Sequence, residues 1–132
     1  MSHVHEIEIR VRYHETDAQG VVHHANYVTY FELGRTEMMR SLGRGYDEME
    51  REGFSLVVAE ISCSYLRPAR FGEVLRLRTT TTEAKGARIR HLYEIFRDDQ
   101  LLATGTSTVA CVDRGGQVRR LPAWLGGKSK GD

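Results

Sequence analysis

The sequence predicts an α+β fold, a sheet of about five antiparallel strands with one long helix segregated from it along the chain. Three features carry this prediction. The opening residues alternate with a period of two, residues 27–42 repeat apolar side chains at helical spacing, and strand-like segments parted by turns fill the second half.

From His5 to Tyr13, Ile7, Ile9, Val11 and Tyr13 share one face while Glu6, Glu8, Arg10 and Arg12 share the other. That alternation is a half-buried strand, with Tyr13 finishing its inner face. Tyr27, Phe31, Gly34, Met38 and Leu42 then form one stripe of an amphipathic helix, with Asn26 placed to cap its start and Gly43 and Gly45 to close it. Gly34 inside that stripe costs about 1 kcal/mol against alanine, so the helix is expected to be wrapped closely by another element. "YDEMEREG" reads as a short second helix ended by Gly53. Strands are expected at Phe54–Leu66, Glu73–Glu83, Ala87–Arg97 and Leu101–Val112, broken by Pro68 and Gly72, by Lys85-Gly86 and by "RDDQ".

The chain reads as a single domain over residues 1–132, with a core from about residue 5 to 112 and a Gly-rich, basic tail from about 113 to 132, disordered near its end. Nineteen basic and 18 acidic residues leave a formal charge of +1, which points to neither nucleic acid nor an anionic membrane as partner. No apolar run approaches the roughly 18 residues that span a bilayer, so no membrane insertion is expected, and the start has no signal-peptide layout. A cytoplasmic location follows as an expectation. Cys63 and Cys111 are the two cysteines, both within strand-like stretches, and read as buried free thiols.

The residues that carry chemistry lie in "YHETDAQGVVHHANY", Tyr13 to Tyr27. Together with "YVTYFELGRTEMMRSLG" and "YLRPARFGE", this stretch resembles the hotdog-fold acyl-CoA thioesterases of the 4-hydroxybenzoyl-CoA thioesterase class, in particular the YbgC-like family, over Ile7 to about Val112. The resemblance implies a central helix wrapped by an antiparallel sheet, subunits joining their sheets into dimers or tetramers, and sites formed between subunits. It implies hydrolysis of acyl-CoA to free acid and coenzyme A without metal or other cofactor. Asp17 matches the family's catalytic carboxylate, as nucleophile or general base. His24 and Tyr13 match its polar helpers, and backbone amides near Asn26 and Tyr27 match its carbonyl-polarising site. Gln19 departs from the small residue or proline of many relatives, and the C-terminal tail has no family counterpart.

The residues themselves leave each role open. Asp17 is a working carboxylate or a loop aspartate closing an Asx-turn; His24 is a substrate-holding group or a solvent-facing loop histidine; His23 reads as the latter. Gly20 permits a tight turn between them. Arg67, Arg70, Lys85, Arg88 and Arg90 form a group of cations at strand ends, suited to the phosphates of coenzyme A. The N-terminal histidines lack zinc-site spacing, "GGKS" lacks the rest of a phosphate loop, and Cys63 sits where packing is expected. Two other classes remain within the same fold, a hydratase or dehydratase acting on acyl thioesters and a non-catalytic acyl-CoA-binding module.

Overall fold

The structure is a computed structural model and describes residues 3–43 and 46–126. Its elements are β1 (His3–Arg10), α1 (Ala25–Ser41), α2 (Tyr46–Arg51), β2 (Phe54–Tyr65), β3 (Val74–Lys85), β4 (Arg88–Arg97) and β5 (Gln100–Asp113). The five strands make one antiparallel sheet in the order β1-β3-β4-β5-β2. Each element expected from the sequence is present, with ends moved by a few residues. Gly45 and the "GKS" of the tail lie outside the described residues.

The largest shift is at β1, which stops at Arg10 rather than continuing to Tyr13. Val11 still exchanges backbone hydrogen bonds with Glu73 and Gly72. Beyond it, the Arg12 N–H donates to Glu15 Oε1 at 2.8 Å, and the chain coils into a 3-10 turn over Tyr13–Glu15. Tyr13 therefore leaves the inner face of the sheet and is 76% exposed, its ring edge-on to Phe71. Asn26 is likewise not the cap of α1. It sits inside the helix, its side chain donating to the Glu15 carbonyl at 2.8 Å, and His23 Nδ1 accepts the Ala25 N–H at 3.0 Å instead.

The sheet curls around α1, whose buried face is Tyr27, Tyr30, Phe31, Gly34, Arg35, Met38 and Met39. Gly34 faces β3 so closely that a Cβ there would collide with Thr79 Oγ1 and stand 2.7 Å from Leu77. This is the close wrapping that its place in the stripe predicts. Gly105 does the same from β5, where a side chain would strike the Phe31 ring. Phe31 then stacks on Tyr93 with centroids 4.3 Å apart, at the centre of the core. Leu42, the last of the predicted stripe, falls beyond the helix and is exposed.

A second cluster joins Met39, Met49, Ile89, Val109 and Cys111 to Leu121 and Leu125. The core thus extends past the expected limit at residue 112. Arg119 N–H donates to the Cys111 carbonyl and Leu121 N–H to the Gly86 carbonyl, which bring residues 117–126 back across the β3–β4 hairpin. Cys63 and Cys111 are free thiols, Cys111 buried as expected and Cys63 only partly so, and burial raises both above their usual range. That favours packing over nucleophilic use.

Candidate active site

Glu15 organises the loop between β1 and α1. Its carboxylate is 6% exposed and accepts from the Arg12 backbone, the Arg12 guanidinium and the Tyr30 hydroxyl, while its carbonyl accepts from His23 N–H and the Asn26 amide. Burial alone would raise the carboxyl, but the Arg12 N–H, the Arg12 side chain and the Tyr30 hydroxyl together hold it below its usual value. The loop is thereby fastened at both ends, to β1 through Arg12 and to α1 through Tyr30 and Asn26.

Held on this strut, residues 16–22 form a tight excursion closed by the Thr16–Val22 bridge and attached to the sheet side by Val21–Arg70. Gly20 takes φ +82°, in the left-handed region that favours glycine. Asp17 Oδ1 accepts the Gln19 N–H at 2.8 Å, an Asx-turn. The two sequence readings of Asp17 are therefore compatible: one oxygen shapes the loop, and the other has no hydrogen-bond partner among the described residues. Gln19 contributes its backbone N–H to this turn, and its side chain is exposed.

That carboxylate borders a cavity of about 300 Å³ together with Val22, His24, Tyr27, Tyr65, Leu66 and Arg67. His24 is exposed, precedes the first turn of α1 and stacks on His23 at 4.2 Å. The Asn26 N–H donates to the His23 carbonyl at 2.9 Å, so it is not the free amide the resemblance implies. The Tyr27 N–H reaches the His24 carbonyl at a long 3.3 Å, and the His24 N–H has no acceptor among the described residues. The positive end of the α1 dipole thus opens on the cavity through loosely held amides.

Tyr65 was not singled out by sequence reasoning. Its hydroxyl donates to the His24 carbonyl at 3.0 Å, and its ring meets Tyr27 edge-on at 5.1 Å. Glu15 was missed too, although an acid beside "YH" at a strand end gave some signal. Tyr13 does not border this cavity. The expected cation group is split within one chain: Arg67 borders the cavity and Arg70 bridges to Val21, whereas Lys85, Arg88 and Arg90 lie at the β3–β4 hairpin, the far end of the sheet. Arg90 there faces Glu83 at 3.6 Å. Among the described residues no three His, Cys, Asp or Glu side chains converge as metal ligands, and no helix is long and apolar enough to cross a membrane.

The chain is 38% identical over 113 residues to a putative acyl-CoA thioesterase of Bacillus subtilis, covering 85% of this chain and 82% of that one. It is 37% identical to an acyl-CoA thioesterase of Haemophilus influenzae, covering 81% and 79%. A crystal structure of a probable thioesterase from Bartonella henselae superposes with a TM-score of 0.85 at 31% identity, covering 91% of this chain and all of that one. The sequence profile of the thioesterase-like superfamily matches residues 11–128, and with these relatives it establishes that the chain belongs to that superfamily, in its hotdog-fold branch of thioester hydrolases.

Proposed function

We propose that the protein hydrolyses acyl-CoA thioesters to free acid and coenzyme A, with Asp17 as general base. The observation that carries this reading is the meeting of Asp17, His24 and the start of α1 on one cavity. A half-exposed carboxylate with one oxygen tied and one open has a free oxygen with which to take a proton from water. The water oxygen bonds to the thioester carbon, its proton passes to Asp17, and the carbonyl oxygen gains charge beside the His24 and Tyr27 N–H groups. Collapse of that intermediate breaks the C–S bond and releases the thiolate, which regains a proton. His24 orients the thioester. Relatives named as acyl-CoA thioesterases support the substrate class.

The active unit in this reading is at least a dimer joined along β2. That strand is an edge of the sheet, carries Glu60 as its single charge, and exposes Val57, Val58, Ile61 and Tyr65. Natural proteins cover such edges. A two-fold pairing is antiparallel, so it sets the Phe54 end of one β2 against the Tyr65 end of the other. The hairpin with Lys85, Arg88 and Arg90 lies toward the Phe54 end, since Arg88 pairs with Ala110 and Ala110 with Val57. Lys85, Arg88 and Arg90 of a second copy would then join Arg67 and Arg70 on the side of one cavity, reuniting the cations for coenzyme A phosphates.

Thiol release from a panel of short, long and aromatic acyl-CoAs tests the function. Asp17→Asn is expected to lower turnover by roughly a hundredfold or more while acyl-CoA still binds. Near-normal turnover in that variant would remove Asp17 from the chemistry.

A further inference from the structure

Under the C-terminal half of α1 lies another cavity, of about 240 Å³, whose walls include Met38, Met39, Ile89 and Trp124. Polar side chains interrupt that lining at His3, Tyr46 and Thr81 and, most deeply, at Arg35 and His91. Arg35 and His91 are each only 7% exposed, on α1 and β4 respectively. Arg35 Nη1 donates to the Tyr93 hydroxyl at 2.9 Å, which is linked on to Ser107 at 2.6 Å. The Tyr46 hydroxyl also accepts from Arg35, and Glu32 and Glu50 border a neighbouring cavity with it, but none of the ion pairs among the described residues involves Arg35. His91 Nδ1 is buried without a hydrogen-bond partner. A guanidinium carries five N–H donors in a fixed fork, and an enclosed charge without a counter-ion is costly.

This cavity is separate from the one beside Asp17. From Tyr27 to Met38 the helix advances by about 16 Å, and the fully buried Phe31–Tyr93 stack stands between. We infer that the second cavity binds a compact monocarboxylic acid, its carboxylate on the Arg35 fork and its apolar body against Met38, Met39 and Trp124. The fork fits a carboxylate in two parallel bonds, and the apolar walls exclude a bare inorganic anion as the better ligand. The inference stands independently of which thioester, if any, is hydrolysed at Asp17.

Trp124 is the single tryptophan of the chain and borders the cavity, so its fluorescence reports occupancy. Sodium octanoate and sodium benzoate should change it saturably, and octanoate should bind roughly tenfold or more tighter than 1-octanol. Arg35→Met should abolish that preference and leave the weak response to the alcohol, while Asp17→Asn should leave the octanoate titration unchanged. Equal binding of octanoate and octanol by the unmodified protein would overturn the inference, and so would the lack of a saturable response to either acid. Loss of the octanoate response in Asp17→Asn would instead assign the signal to the first cavity and overturn it equally. Should Arg35→Met fail to fold, the acid-against-alcohol comparison on the unmodified protein decides alone.

Discussion

At the N-terminal end of α1, Asp17 and His24 stand partly or fully open to solvent, fixed by hydrogen bonds to backbone. Toward the C-terminal end of the same helix, Arg35 and His91 are buried and border a cavity that Trp124 and Leu125 of the returning tail also line. The difference is one of who supplies the cover. The tail segment with Leu121 and Leu125 closes the second region from within the chain. The first region ends at Tyr65 and Leu66, on and just past the unpaired β2 edge, and gets no such cover. An open site that borders an open edge ties chemistry to assembly, whereas an enclosed site is tied to folding alone.

The largest effect should come from removing the outside cover. Val58→Lys with Ile61→Lys places charges on the edge, where they discourage strand pairing. Light scattering should then report one chain instead of two or four, and thioester turnover should be lost. The tail-covered region should be untouched, so Trp124 emission should match that of the unmodified protein. A fully active monomer would break the comparison, because the first region would then be complete in one chain.

Acid titration separates the ends next. Burial, with Arg35 adding to it, lowers the His91 pKa from 6.5 to about 4. The folded protein keeps this imidazole neutral while the unfolded chain takes a proton below about pH 6.5. Stability from this group is thus full above that pH and drains away as pH falls toward 4, by an amount on the order of 3 kcal/mol. His91→Gln should flatten that part of the stability profile in denaturant melts recorded from pH 7 to 4. A profile as steep as before would place the acid sensitivity elsewhere.

Glu15 has a lower window. Its carboxyl is held below the ordinary value, so its contribution is present above about pH 4.5 and is lost as pH falls further. Glu15→Gln should cost about 1–3 kcal/mol, since the Arg12 N–H and the Tyr30 hydroxyl lose a charged acceptor. Turnover should fall with it, because Asp17 and His24 both hang on this strut. A destabilised variant with normal turnover per folded molecule would show that the loop keeps its shape without Glu15.

How much of this was legible in the sequence depends on which interactions decided each element. The helix and four later strands follow from local periodicity, and Gly34 announced a close approach, which the structure supplies through the Thr79 and Leu77 side chains of β3. The end of β1 was hidden, since the alternation runs on to Tyr13 while a side chain three residues later, Glu15, captures the Arg12 N–H. Asp17 and His24 stood out through their pattern as candidates, yet Tyr65 and Arg35 did not. Tyr65 comes to His24 from 41 residues away, and Arg35 hides inside a helix where an arginine reads as solvent-facing. The packing of the tail is equally non-local, resting on two backbone bonds to β5 and to the hairpin turn.

The smallest predicted effect tests the link between the first region and the edge strand. The Tyr65 hydroxyl donates to the His24 carbonyl at 3.0 Å, joining β2 to the residue that starts α1. Tyr65→Phe removes that bond and keeps the ring, including its edge-on contact with Tyr27. A neutral hydrogen bond contributes about 0.5–1.5 kcal/mol, and Tyr65 is 49% exposed, so water replaces part of it. Turnover should fall by roughly two- to fivefold with little change in KM, because the bond positions His24 and the amides beside it rather than the bound acyl group. The melting temperature should barely move. A change confined to KM would mean that Tyr65 meets the substrate itself, and no change at all would leave Glu15 as the sole support of the loop.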